Sequence, residues 1–362
     1  MIRTSIRALF LCSAMFCSLM MKDGLLSFDF NYRDVPELKK VGWADETGLV
    51  RRTFKITVPE IKYPYNPSII RYEKNYLLSF RYDPKYNEKG VHPGVVGLLR
   101  LNANFRPIYS STLLPLGNGS AEDGRIFIAN DNLYVVYTHV TQAAPQLCNM
   151  AIAELDPFTF DVLKDMPLAY GTNREKNWSP FVYHNLNTRQ DDVFFVYSFC
   201  PQEILKLGFP VKGNVTKVYV SRARSKLKEW EKKLGSIRGG TPPIKVGNEY
   251  LTFFHSSFIS NKIRYYVMGA LTFNDQPPFK ITRMSTKPIL FKRIYETPVT
   301  PNVHFYPRKD LRVLFPSGCV EGNEDGSDVF YVVCGENDVA IKCVVVDKEK
   351  LYQSLEPINS VR

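Results

Sequence analysis

Several patterns that would assign chemistry directly are missing from this chain. Its five histidines, His92, His139, His184, His255 and His304, show no HxxxH spacing, and no Cys/His cluster replaces one, so no metal site is expected. No glycine fingerprint of a nucleotide-binding loop occurs, which excludes the common dinucleotide and NTP cradles. The seven cysteines form no CxxC pair. Cys12 and Cys17 lie in an N-terminal apolar run, leaving Cys148, Cys200, Cys319, Cys334 and Cys343, an odd number set mostly among strand-like residues and read as buried thiols. No low-complexity linker divides the chain.

Long apolar runs are also lacking. The N-terminal run, residues 8–21, follows Arg3 and Arg7 and ends at Lys22 and Asp23; it is short for a bilayer span. A basic start before a short apolar run is the pattern of a signal peptide, although no clean small-x-small cleavage site follows. Residues 1–21 are therefore expected to be a signal peptide or anchor, with no other stable membrane span. A secreted, lumenal or periplasmic location follows from that reading, with a cytoplasmic one as the alternative. Sequons at Asn118, Asn177 and Asn214 are compatible with export but arise often by chance.

The formal net charge of +11 raises nucleic acid as a partner. The basic residues are spread along the chain, however, and the densest stretch, residues 222–238, mixes Lys226, Lys228, Lys232 and Lys233 with Glu229 and Glu231. That mixture reads as a solvated helix or linker, and no nucleic-acid partner is expected.

What the chain does contain is β-strand chemistry: 21 Tyr and 24 Phe against 3 Trp, with 24 Pro and 21 Gly scattered between apolar stretches. One pattern recurs five times: a small polar or Pro-containing signature, an apolar strand, a turn and an aromatic-rich strand. It occupies residues 66–81 (NPSIIRYEKNYLLSFR), 122–138 (EDGRIFIANDNLYVVYT), 176–198 (KNWSPFVYHNLNTRQDDVFFVYS), 239–256 (GGTPPIKVGNEYLTFFHS) and 315–335 (FPSGCVEGNEDGSDVFYVVCG). Each reads as a β-hairpin around turn residues such as Asn130-Asp131-Asn132 or Gly247-Asn248. A period of roughly 55–75 residues suits propeller blades with variable outer strands. The expected fold is all-β, a five-bladed β-propeller over residues 60–346. An extension over 22–59 precedes it, and a short C-terminal helix with Asp347 as N-cap opens the tail, 347–362.

In a propeller the first residues of the inner strands gather at one mouth of the central channel. The signatures should bring Asn66, Asp123, Arg125, Lys176, Asn177, Trp178, Arg238, Thr241 and Ser317 towards one cleft. Taken singly, Asn66, Ser179, Thr241 and Ser317 read equally well as caps of turns at strand starts. Glu122 and Asp123 are adjacent in a strand, so only one of them is expected to reach the cleft.

The segments NPSIIRYEKNYLLSFR, AEDGRIF, EKNWSPF, RGGTPPIKVGNEYLTFFHSS, YYVMGALTF, VLFPSGCV and GENDVAIKCVVVD, in that order, resemble glycoside hydrolase family 130 over roughly residues 60–347. That family comprises β-mannoside phosphorylases and β-mannosidases on a five-bladed propeller. The resemblance implies an inverting carbohydrate-active enzyme acting on β-mannosidic or related linkages, with a glycan as partner and no cofactor beyond inorganic phosphate as a co-substrate. It makes Asp123 the general acid, relaying its proton through a sugar hydroxyl, with Gly124 where the family usually has Pro. It makes Asp338 a holder of the sugar at the −1 position and places Asn66 and Arg81 near the sugar. It makes His255 and Lys176 anion ligands; the convergence of the signatures adds Arg238 as a further anion ligand and Arg125, Asn177, Trp178 and Thr241 as further substrate contacts. One departure stands out. Where the family's phosphorylases carry an arginine in an HRP-like segment, this chain has Tyr197-Ser198-Phe199-Cys200-Pro201. Phosphorolysis, hydrolysis and glycosyl transfer therefore stay open, with Glu175, Glu336 and Asp338 as candidate bases for hydrolysis. A non-catalytic sugar-binding propeller is the alternative, and a protein-interaction propeller a more distant one.

Overall fold

The computed structural model describes residues 35–41, 47–84, 94–142, 146–222, 224–298 and 310–358. The 1–21 segment, His92 and His304 lie outside the described residues. Five sheets, antiparallel but for one short parallel pairing in the fourth, form a five-bladed β-propeller. The first blade runs Tyr65–Tyr72, Asn75–Tyr82, Val95–Leu101 and Thr112–Leu114, in that order from the centre outward. The second uses Ala121–Ala129, Asn132–Gln142, Leu147–Leu155 and Val162–Pro167. The third uses Ser179–Asn185, Gln190–Phe199, Gln202–Leu207 and Val215–Ser221. Ile244–Val246, Glu249–Ser260, Ile263–Asn274 and Ile281–Ser285 build the fourth. Its outer edge also receives Leu355–Pro357 from the C-terminal end.

The fifth blade closes the ring. Leu314–Glu324, Ser327–Glu336 and Ala340–Asp347 are completed by Val50–Ile56, which pairs antiparallel with Ala340–Asp347. Residues 50–56, read from the sequence as part of an extension crossing the outside, are thus the outermost strand of the last blade. Joining the two ends of the chain in one sheet leaves no seam between first and last blades, and it pairs an edge that would otherwise be open.

Neighbouring blades pack face to face, so the middle strands are buried on both sides. Asn75–Tyr82 and Ser327–Glu336 are nearly continuous runs of buried residues, and Phe80, Leu99, Val333 and Val345 share one inter-blade core. Outer strands such as Val215–Ser221 are mostly exposed. The hairpin turns have the chemistry their geometry demands: Asn130-Asp131 and Asn261-Lys262 sit at positive φ, as primed two-residue turns require.

The basic stretch after the third blade folds as a helix, Ser225–Leu234, with Leu227, Trp230 and Leu234 buried and Lys232 and Lys233 in its last turn. Trp230 donates its indole N–H to Ser256 of the fourth blade at 2.8 Å. The C-terminal helix, Lys348–Ser354, is capped by Asp347, whose side chain accepts from the Lys350 amide at 3.0 Å. Among the described residues no helix is long and apolar enough to cross a membrane.

Candidate active site

The inner strands of the first two blades begin with equivalent β-bulges. Asn66 and Pro67 together oppose the single residue Phe80, and Asp123 and Gly124 oppose Tyr137. A bulge needs a residue that tolerates an unusual backbone; Asn66 (φ 45°) and Asp123 (φ 55°) are both left-handed, a region that Asn and Asp occupy more readily than most. The bulges turn both side chains to the same point, where Asn66 Nδ2 donates to Asp123 Oδ1 at 2.8 Å. Only Asp123 of the adjacent pair Glu122 and Asp123 reaches the central pocket, as expected, although the bulge breaks strict alternation. Both carboxylates meet Arg81, whose Nη2 lies 2.9 Å from Glu122 Oε1 and whose Nη1 lies 3.4 Å from Asp123 Oδ1. Arg81 is further held by Asp83 at 2.8 Å and lies over the ring of Tyr65. Lys176 Nζ reaches the other Glu122 oxygen at 2.7 Å.

Beside these groups opens a central pocket of about 350 Å³. Asn66, Arg81, Asp123, Lys176, Asn177, Arg238, His255 and Asp338 all line it. Ser257, Arg264 and Tyr266, none of them singled out in the sequence, line it too. A signal for them existed. His255 and Ser257 are two apart on one strand, and Tyr266 is opposite Ser257 across the hairpin, two residues from Arg264; residues spaced by two share a face. Arg264 is fixed by its pairing with Leu311 and by its backbone N–H, which donates to the Asp310 carbonyl at 2.7 Å. Its side chain donates to Ser257 Oγ at 3.3 Å. Among the described residues no carboxylate forms an ion pair with Arg238 or Arg264, which line the pocket together with Lys176.

The other expected residues lie elsewhere. Arg125 is fully buried, with Nε donating to the Gly240 carbonyl at 2.9 Å and Nη2 to that of Gly239 at 3.3 Å. It bolts the second blade to the segment entering the fourth. That segment needs its glycines, because a Cβ on Gly239 or Gly240 would come within 1.9 Å of the Asn177 carbonyl or 2.0 Å of the Phe253 carbonyl. Trp178 is also buried and hydrogen-bonds Glu175 at 3.1 Å. Thr241 is buried and pairs with Phe253 through its hydroxyl and its amide. Ser317 is buried and donates its hydroxyl to the Pro67 carbonyl. All four stitch the fold rather than face the pocket. Of the candidate bases, Asp338 lines the pocket, Glu175 faces an adjoining groove, and Glu336 is sealed in an ion pair with Lys342 at 2.6 Å.

Electrostatics divide the pocket. Burial alone would push the Asp123 carboxyl up. The charges of Arg81 and Lys176, the Asn66 hydrogen bond and the charge of Arg125 outweigh it and hold the group below the usual carboxylate range. Asp123 is thus ionised at neutral pH with only protein groups around it. His255 is depressed to about 3, by burial first and then by Arg125 and Arg238, so it is a neutral imidazole. Its Nδ1 has no hydrogen-bond partner among the described residues, and its ring packs 4.5 Å from that of Phe315.

No protein-family model matches the chain, and no curated protein sequence matches it. Solved structures do. A β-1,2-mannobiose phosphorylase from Listeria innocua, in complex with β-1,2-mannobiose, superposes with a TM-score of 0.54 at 13% identity, covering 82% of this chain and 92% of that one. A mannose phosphorylase from Leishmania mexicana, in complex with a phosphate ion, gives 0.54 at 14% identity over 86% and 93%. A structure from work on GH130 enzymes that target β-1,2-mannosidic linkages in Candida mannan gives 0.56 at 14% identity over 80% and 85%. Likeness at this identity establishes the shared propeller fold.

Proposed function

We propose that this chain is a carbohydrate-active enzyme that cleaves, or in reverse forms, β-mannosidic linkages by inverting phosphorolysis. The observation that carries the reading is the meeting, in one pocket, of two carboxylates (Asp123, Asp338) and three cations (Lys176, Arg238, Arg264) beside neutral His255. Phosphate requires several charge-assisted donors to be held and aimed. The arginine missing from the segment at residues 197–201 has a functional substitute in Arg264, which enters from the fourth blade. The likeness to phosphorylases that bind mannobiose and phosphate supports the same substrate class.

In this reading the mannosyl ring lies against Asn66, Asp123 and Asp338, and a phosphate oxygen attacks its anomeric carbon from the cationic side. The new C–O bond to phosphate forms as the glycosidic C–O bond breaks, and a proton from Asp123, relayed by a sugar hydroxyl, passes to the departing oxygen. The products are mannose 1-phosphate of inverted configuration and the shortened sugar. A donor must first be protonated, and in this reading Asp123 takes that proton from water once the anion is bound. A phosphate held by Lys176, Arg238 and Arg264 weakens the field that keeps Asp123 ionised, raising its pKa towards that of a usable acid.

Hydrolysis is the second reading, favoured by Asp338: of the three candidate bases it alone lines the same pocket as Asp123. Sugar release from β-linked manno-oligosaccharides, with and without inorganic phosphate, separates the two. Mannose 1-phosphate formed only with phosphate supports phosphorolysis, free mannose in its absence supports hydrolysis, and saturable binding without turnover leaves a sugar-binding propeller.

A further inference from the structure

Glu122 takes no step in the proposed reaction, yet it is the acceptor shared by the two cations that act most strongly on Asp123. Its Oε1 lies 2.9 Å from Arg81 Nη2 and its Oε2 lies 2.7 Å from Lys176 Nζ. The residue is 3% exposed, its backbone pairs with Thr138, and a Cβ on Gly94 would come within 3.1 Å of its stem. Glu122 therefore has little freedom to leave the two cations. Lys176 keeps 28% of its side chain exposed and lines the pocket. An ammonium has three donors, so Glu122 occupies one and leaves two for a ligand.

Resting on the function proposed above, we infer that Glu122 is a positioning residue: it draws Arg81 and Lys176 off Asp123, so that the acid takes up its proton when the anion binds. Arg81 also meets Asp83 at 2.8 Å, which accepts from the Tyr65 hydroxyl at 2.7 Å, so three carboxylates share one guanidinium. Were Glu122 neutral, both cations would turn their charge on Asp123, and opposite charge within a few ångströms favours the ionised form. A bound anion would then have to offset both alone. Glu122 is thus a permanent counter-charge, and the anion adds to it. Three titratable neighbours keep their charge over about pH 4.5 to 7. Arg125, lowered to about 10 by burial, stays cationic; His255, lowered to about 3, stays neutral; and burial pushes the Cys148 thiol up. Arg238, Arg264 and Asp338 face the pocket alike in wild type and variants.

Sulfate, an anion that does not titrate in that range, probes the proton uptake without turnover. Calorimetry of sulfate binding at about pH 5, in two buffers of different ionisation enthalpy, counts the protons bound. Wild type should take up protons, and Asp123→Asn should not. Glu122→Gln should take up about half the wild-type amount or less, and Glu122→Asp, which keeps the counter-charge, should lose less. In turnover of β-1,2-mannobiose with phosphate, the high-pH limb of the kcat profile should move down by about one pH unit or more in Glu122→Gln. The deficit should shrink as pH falls, whereas damage to packing alone would lower kcat equally at every pH. Adding Lys176→Met to Glu122→Gln removes a freed cation and should return the limb most of the way, which carries the test if the single variant folds poorly. Uptake and limb unchanged in Glu122→Gln overturn the inference, as does sulfate that fails to bind wild type or binds it without proton uptake. A wild type that shows the uptake pattern but no phosphate-dependent turnover leaves Glu122 in this role and overturns phosphorolysis instead.

Discussion

Glu336 and Asp338 are two residues apart on the same turn of the fifth blade, yet they belong to opposite kinds of charged site. Glu336 is fully buried. One oxygen lies 2.6 Å from Lys342 Nζ, and the other accepts from the amide and hydroxyl of Thr297. Lys342, equally buried, is also met by Glu296 at 3.1 Å and the Arg293 carbonyl at 2.6 Å. Every charge there has its counter-charge, so the cluster offers a ligand nothing and instead ties the 293–297 segment to the blade. Asp338 opens on a pocket where Arg238 and Arg264 have no carboxylate of their own among the described residues. Buried charge as such does not mark a binding site; charge that lines open space does.

The largest expected effect breaks the pocket side of this contrast. Asp123→Asn preserves shape and the proximity to Asn66 but removes the transferable proton. Turnover of a β-mannoside should fall about 10²–10⁴-fold with the thermal unfolding midpoint little changed. Initial rates and a melting curve on the same preparation check both halves. A variant as active as wild type would remove Asp123 from the chemistry.

Next comes the sealed side. Lys342→Met leaves Glu336 buried without its partner, which should cost about 3–5 kcal/mol of stability, read from urea unfolding. Replacing both, Lys342→Met with Glu336→Leu, should recover most of the loss, since the uncompensated charge disappears with its partner. Sugar affinity of the folded variant should stay near wild type; a large loss would mean that the two clusters are coupled.

Arg264→Ala sharpens the comparison from the cations of the pocket. Losing one charge-assisted donor, worth about 1.5–3 kcal/mol, should raise the KM for phosphate about ten- to a hundredfold while leaving sugar affinity nearly intact. Arg264→Lys should recover part of it. A phosphate dependence identical to wild type would return the anion site to Lys176 and Arg238 alone.

The contrast also explains what could be read from the sequence. The five hairpins and the convergence of Asn66, Asp123, Lys176 and Arg238 follow from repeats whose period and turn residues are local features, whereas Asp338 was reached only through the family resemblance. Two kinds of fact were not local. Closure by residues 50–56 depends on pairing with a strand near the other end of the chain, and nothing in those seven residues names their partner. The fates of Arg125 and Glu336 depend on depth: a polar residue beside a signature motif has the same appearance whether it lines the pocket or bolts blades together beneath it. Arg264 was missed for the opposite reason, since it lies outside every repeat signature and reaches the pocket only through the period-two face it shares with Tyr266.

The smallest effect, per unit of pH, concerns His255, which lines the same pocket. In the native state its proton affinity is depressed to about 3 by burial and by the charges of Arg125 and Arg238, with Asp123 opposing. In the unfolded chain the imidazole titrates near its ordinary 6.5. Between these values the unfolded state holds the extra proton, so stability falls as pH is lowered through 6.5 and this contribution stops growing below about 3. Its limiting slope is about 1.4 kcal/mol per pH unit. His255→Phe keeps an aromatic ring against Phe315 and cannot titrate, so its stability between pH 6 and pH 5 should decline less steeply by up to that amount. Urea unfolding of both proteins at the two pH values measures the difference. Equal slopes would mean that His255 is protonated in the native state, and the pocket would then carry one more positive charge than described here.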